Sequence, residues 1–169
     1  MATKNEAVFD ETVGKALALL EKLEENNDHK AEAKALKSSA YGFIMGFATI
    51  KGRYYGPKST NEINKALALN LESGMTWMVK ASSLYYTPEM FGGDKLVAEK
   101  AYEKSTHFFE KNGETKNNWM YLNALAGLRQ AYLSNGKKEK AINTYKKALS
   151  IESDFNWVAK VLLPKAEKS

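Results

Sequence analysis

LAGLRQAYLSNGKKEKAINTYKKALSIES, residues Leu125 to Ser153, carries two helical patterns on either side of a short break. Leu125, Leu128 and Tyr132 recur at intervals of three and four, which aligns side chains on one face of a helix. Asn135-Gly136 then supplies a turn. Ala141, Tyr145 and Ala148 restart the same spacing, so the stretch reads as two antiparallel helices. Small residues such as Ala141 and Ala148 suit the places where the two helices approach closely, while Tyr132 and Tyr145 fill the space between neighbouring hairpins. One such hairpin cannot bury its own apolar face, so the unit should recur.

It does recur. Ala98, Tyr102 and Ser105 form a related second helix, and so do Ser59, Ile63 and Ala66. The period is loose, 39 residues from Ala66 to Ser105 and 43 from Ser105 to Ala148, so loops have grown. Nearer the N-terminus Phe9, Val13, Ala16, Leu17, Leu20 and Leu23 trace an amphipathic helix ending before the polar ENNDHK. A second helix is expected from Ala31 through Ile50, stopped at GRYYGP by Gly52, Gly56 and Pro57. Ser59 with Glu62 three residues on reads as a capping box that opens a third. Five more are expected at Gly74–Tyr86, Asp94–Lys111, Asn118–Ser134, Lys137–Ile151 and Asp154–Leu163, about eight in all, with no strand signal.

At 169 residues the chain can bury about 70% of its unfolded surface without a metal or disulfide staple. Cysteine is absent, which removes thiol catalysis, cysteine zinc sites and disulfides together. The most apolar run, Gly42 to Ile50, is too short to cross a membrane, so no membrane insertion is expected. The first residues run directly into an amphipathic helix with no visible signal peptide. An exported protein lacking its signal and a cytoplasmic one both fit. The net charge of +5 resides in residues 112–169, which hold ten basic and five acidic side chains, centred on Lys137–Lys140, Lys146 and Lys147. A solvated lysine face and a docking surface for an acidic partner both account for it. Nucleic acid is not expected, because these lysines are not interleaved with exposed aromatics and Arg129 is the region's only arginine.

The segment YYTPEMFGGDK, Tyr85 to Lys95, interrupts the helical pattern. A phosphate loop would need a different glycine spacing and a preceding strand. Asp94 stands at the helix start where an anion would sit, and its carboxylate is suited to cap the free N–H groups itself. Gly92 and Gly93 then supply backbone freedom and Pro88 stiffens the entry. Paired tyrosines with a proline two residues later occur twice, at Tyr54, Tyr55, Pro57 and at Tyr85, Tyr86, Pro88, either packing between repeats or lining the rim of a groove.

The Leu125–Ser153 unit resembles the tetratricopeptide repeat, whose pattern is W-x2-L-G-x2-Y followed by A-x3-F and a closing proline. Leu125 stands for the tryptophan and Tyr145 for the phenylalanine; Arg129 replaces the glycine and Ser153 the proline. GPKSTNEINKALALN, YYTPEMFGGDK and DFNWVAKVLLPK are together similar to a group of bacterial tetratricopeptide proteins with a GPK turn, a P-x-x-FGG turn and a tryptophan-containing helix ending in LLP. The likeness spans Tyr54 to Lys165. It implies a right-handed superhelix of antiparallel helix pairs, an α-solenoid. Residues 1–169 would form a single domain, with an N-terminal helical pair (1–56), repeats (57–153) and a capping helix (154–169).

Catalytic chemistry has little to draw on. His29 lies in a polar turn and His107 is out of phase with the stripe Ala98, Tyr102, Ser105, Phe109, so no metal site is expected. The Glu21, Glu24, Glu25 cluster reads as a solvated helix face. No nucleophile motif is present, and neither enzyme activity nor a cofactor is expected. The leading expectation is a scaffold that binds a protein or peptide segment along a concave groove. By the family's geometry the first helix of each pair lines that groove, nominating Thr76, Val79, Ser83 and Tyr86, then Asn123, Ala126, Gln130 and Leu133, with Tyr55 from the earlier tyrosine pair. The alternative is a small-ligand or transport accessory protein in which tyrosines, Trp77 and Phe91 converge on a pocket.

Overall fold

The computed structural model describes residues 6–152. Among them seven α-helices follow one another without a strand: α1 Glu6–Leu23, α2 Lys30–Phe47, α3 Gly52–Leu69, α4 Gly74–Tyr86, α5 Lys95–Lys111, α6 Trp119–Ser134 and α7 Lys138–Ile151. The class is all-α, and the last four helices fall where the apolar period places them. The helix expected at 154–163 lies outside the described residues. The chain parts into two compact units between Leu71 and Glu72, inside the stretch 57–153 assigned to repeats.

In the first unit α2 packs against α1 and, more extensively, α3. Its buried positions fall on two opposite sides, Ala31 and Ala35 on one and Ala33, Ala40 and Ile44 on the other, and α3 buries Ile63 and Ala66. Ser59 lies within this contact, its hydroxyl donating to the Ser38 carbonyl at 3.0 Å and pairing with Ser38 Oγ at 2.9 Å. That corrects the expected capping box. Helix α2 ends earlier than expected, at Ala48, whose extended backbone leads into a 3-10 turn at Thr49–Lys51. Helix α3 begins at Gly52 and runs through Pro57. Gly56 permits this, because it has no Cβ to clash with the proline ring that follows. Ser59 is therefore a mid-helix residue, and Glu62 turns to Lys34 of α2 (3.2 Å) instead of back to a cap.

The second unit is built on larger side chains. One cluster joins Ala81, Ala101, Tyr102, Leu128, Ala131, Tyr132 and Ala141, and another joins Phe109, Tyr121, Ala124, Leu125 and Ala148. All nine positions of the three related helices, from Ser59 to Ala148, are buried. Small residues mark the close approaches. The Ser105 hydroxyl donates to the Gly74 carbonyl at 2.7 Å, and a Cβ on Gly127 would run into the Tyr102 ring. Burial pushes the Tyr102 phenol up to about 12, and its oxygen pairs with Ser82 Oγ at 2.9 Å.

The turn between α4 and α5 has the expected form. Asp94 Oδ1 accepts from the N–H groups of Leu96 (2.8 Å) and Val97 (2.9 Å), capping α5. Gly92 adopts φ +92°. Gly93 passes so close to the Thr87 carbonyl that any side chain there would collide with backbone.

Candidate functional site

Helices α4 and α6 pack against each other at the face nominated for binding. Their contact is polar at its rim: Tyr86 Oη donates to Gln130 Oε1 at 3.3 Å, and Tyr85 Oη pairs with Ser134 Oγ at 2.6 Å. The two tyrosine rings meet edge to face at 5.0 Å. Tyr86 is 68% exposed, Asn123 is exposed, and Ser83, Ala126, Gln130 and Leu133 are half-buried.

Thr76 and Val79 depart from expectation. Thr76 is fully buried; its N–H and hydroxyl both donate to Ser73 Oγ, at 3.2 and 3.0 Å, as part of the cap of α4. Val79 is buried too. The stripe 76, 79, 83, 86 advances slightly less than whole turns, so it starts in the core and reaches solvent only at Tyr86. Tyr55 belongs to the first unit. There its half-buried ring lies 5.4 Å from Tyr41 and edge to face with Tyr54, above which Lys58 Nζ sits at 3.9 Å.

Sequence reasoning missed Arg129 as a site residue. It is buried on α6 and its guanidinium carbon stacks 4.5 Å from the centre of the Tyr145 ring on α7. Its Nε and the Tyr145 hydroxyl are both enclosed without a hydrogen-bond partner. Burial lowers the arginine's pKa, and pushes the Tyr145 phenol up to about 12. The available signal was the substitution itself, a long cation where the repeat pattern has glycine.

The basic last third has carboxylate partners. Helices α5 and α7 run alongside α6, and their charges meet in rungs: Lys137 on Glu99, Lys140 on Glu103 (3.9 Å) and Lys147 on Glu110 (2.7 Å). Tyr132 and Tyr121 of α6 donate to Glu103 and Glu110, each at 2.8 Å. Burial, with these carboxylates as neighbours, raises both phenols far above their ordinary range. Asn135 Nδ2 adds a 2.8 Å bond to Glu99, whose carboxyl would be raised by burial but is held low by Lys137 and Asn135. An open cleft of about 440 Å³ lies along the ladder, bordered by His107 and Asn143. Trp77 and Phe91 do not line it; Trp77 lies under Lys104 Nζ at 4.1 Å and Phe91 projects from its turn.

Among the described residues no three metal-ligating side chains converge, and no helix is long and apolar enough to cross a membrane. No family model matches the chain, and no match is found among curated proteins or solved structures.

Proposed function

We propose that the chain is a tetratricopeptide-type solenoid, a right-handed superhelix of helix pairs, acting without catalysis as a scaffold that binds an extended peptide across α4 and α6. The observation that carries this reading is the Tyr86–Gln130 contact. It joins two nominated residues from successive first helices and leaves an aromatic ring and an amide facing solvent. An amphipathic tyrosine beside adaptable amides provides contact area with few rotamers to freeze. The burial of all nine repeated positions of the three related helices supports the solenoid reading.

Chemical-shift mapping of 15N-labelled protein with a peptide selected from a random library tests it. Perturbations should concentrate at Ser83, Tyr86, Asn123 and Gln130. Perturbations confined to the α5–α7 cleft would move the binding surface to the opposite side of α6 and overturn the assignment.

A further inference from the structure

Arg129 is 8% exposed, yet among the described residues its guanidinium makes no ion pair and its enclosed Nε has no hydrogen-bond partner; the guanidinium carbon lies over the Tyr145 ring, 4.5 Å from its centre. A guanidinium stays protonated inside a protein, so the charge cannot be relieved by losing a proton. Buried charges are ordinarily paired, and an unpaired one is a standing cost to the folded state. The carboxylates on the neighbouring α5 are engaged elsewhere: Glu99 by Lys137 and Asn135, Glu103 by Tyr132 and Lys140, Glu110 by Tyr121 and Lys147. Beside the guanidinium the Tyr145 hydroxyl is a second enclosed group without a partner. The Tyr85 and Tyr86 phenols lie within electrostatic reach, and the hydrogen bonds holding them to Ser134 and Gln130 are exposed, so an incoming polar group can exchange with them.

We propose that Arg129 is the anchor for an acidic side chain of the bound peptide, stacking its flat face on Tyr145 and offering its edge N–H groups to one carboxylate; this rests on the peptide-binding reading above. Stacking on an aromatic ring uses the face of the guanidinium and leaves its planar fork of donors unspent, which is the geometry a carboxylate meets with two parallel bonds. The ligand favoured is a singly charged carboxylate, because one guanidinium balances one such charge while a phosphate monoester carries nearly two. An arginine held without a counter-charge in the free protein is then a binding group maintained against stability.

The test uses a random-peptide phage library panned in parallel on wild-type protein and on Arg129→Gln, with circular dichroism confirming that the variant is folded. Peptides selected on the wild type should share an Asp or Glu at one register position, absent from the Arg129→Gln pool. For a synthetic selected peptide, replacing that acid by its amide should weaken binding to wild type at least about 30-fold and leave binding to Arg129→Gln nearly unchanged. Arg129→Met, which keeps the stem against Tyr145, should melt no lower than wild type. Equal loss in both backgrounds, or selected peptides without a fixed acid, would overturn the anchor while the peptide face stood. A phosphoserine binding more tightly than the acid at that position would overturn it in favour of a phosphopeptide. Failure to select any peptide on wild type would remove the peptide reading and the anchor with it. Arg129→Met melting well below wild type would show a structural cation only.

Discussion

The first unit packs small residues around an ionic knot, whereas the second packs rings and leucines and leaves most of its ion pairs outside. Alanines at 31, 33, 35 and 40 remove little apolar surface each, and α1 has no fully buried residue. What ties α1 to α2 is a Phe9–Phe47 stack at 4.2 Å and a shared carboxylate. Glu24, just past the end of α1, takes Lys34 on one oxygen and Lys37 on the other (2.8 Å), while Lys34 also reaches Glu62 of α3. The second unit instead encloses Phe109, Tyr121, Leu125 and Tyr145, each removing far more surface from water. Hydrophobic burial is insensitive to pH, whereas a shielded ion network is not.

Glu24→Ala should be the most damaging change in the first unit, about 3 kcal/mol, because it leaves two shielded ammonium groups with only Glu62 beside Lys34 and the exposed Glu21, 3.8 Å from Lys37. Burial alone would raise the Glu24 carboxyl, but hydrogen bonds from Lys34 and Lys37 outweigh it and hold it below 4.5. Its contribution is therefore present above pH 4.5 and lost as pH falls through the lower folded value. Burial opposes charge on Lys34 and Lys37, yet their carboxylate partners raise both above 10.5, so their contribution is whole below that pH and lost as pH rises through the folded values. Among the described residues both tryptophans, Trp77 and Trp119, lie in the second unit. On acidification helicity should fall before tryptophan emission shifts; coincident transitions would erase the contrast.

Gly127→Ala probes the second unit's tight packing. The added methyl enters space held by the Tyr102 ring, and overpacking of this kind costs about 1 to 3 kcal/mol. Thermal melts of the variant check it, and an unchanged midpoint would mean that Tyr102 can rotate aside despite its bond to Ser82.

Helices α4 to α7 were legible because their apolar period, capping aspartate and asparagine, and turn glycine all point the same way. Asp94, Asn118 and Gly136 fall at the ends they announce. The α2–α3 boundary was not, since GRYYGP looks like a break and only the lack of a Cβ at Gly56 lets the helix continue through Pro57. Glu24 was read as a solvated face together with Glu21 and Glu25, both of which are exposed. Nothing in a glutamate's identity reveals that Lys34 and Lys37 will close over it. Tyr86 and Gln130 were nominated and do meet, but Arg129 depends on a wider fact: the carboxylates of α5 are taken by lysines 37 or 38 residues further along. Pairings of that kind exist only once α5, α6 and α7 are laid side by side.

Asp94→Ala should cost the second unit about 0.5 to 2 kcal/mol, and Asp94→Asn much less, because either an aspartate or an asparagine oxygen can accept from Leu96 and Val97. Melts of both variants, with and without phosphate, measure this. A phosphate-dependent rise confined to the alanine variant would show that the vacated cap is an anion site.

The smallest effect has the opposite sign. Gly42 lies inside α2 on an exposed stretch, and a methyl group there meets nothing within 4 Å. Glycine in a helix interior costs about 0.5 to 1 kcal/mol relative to alanine through backbone entropy alone. Gly42→Ala should therefore stabilise the first unit by about that amount, while the same chemical change at Gly127 destabilises the second. The pair isolates packing from propensity, since both glycines are helical and differ in what surrounds them. If denaturant titration showed Gly42→Ala to be destabilising, the open face of α2 beside Phe43 would be occupied in solution, and the contrast with Gly127 would no longer separate packing from propensity.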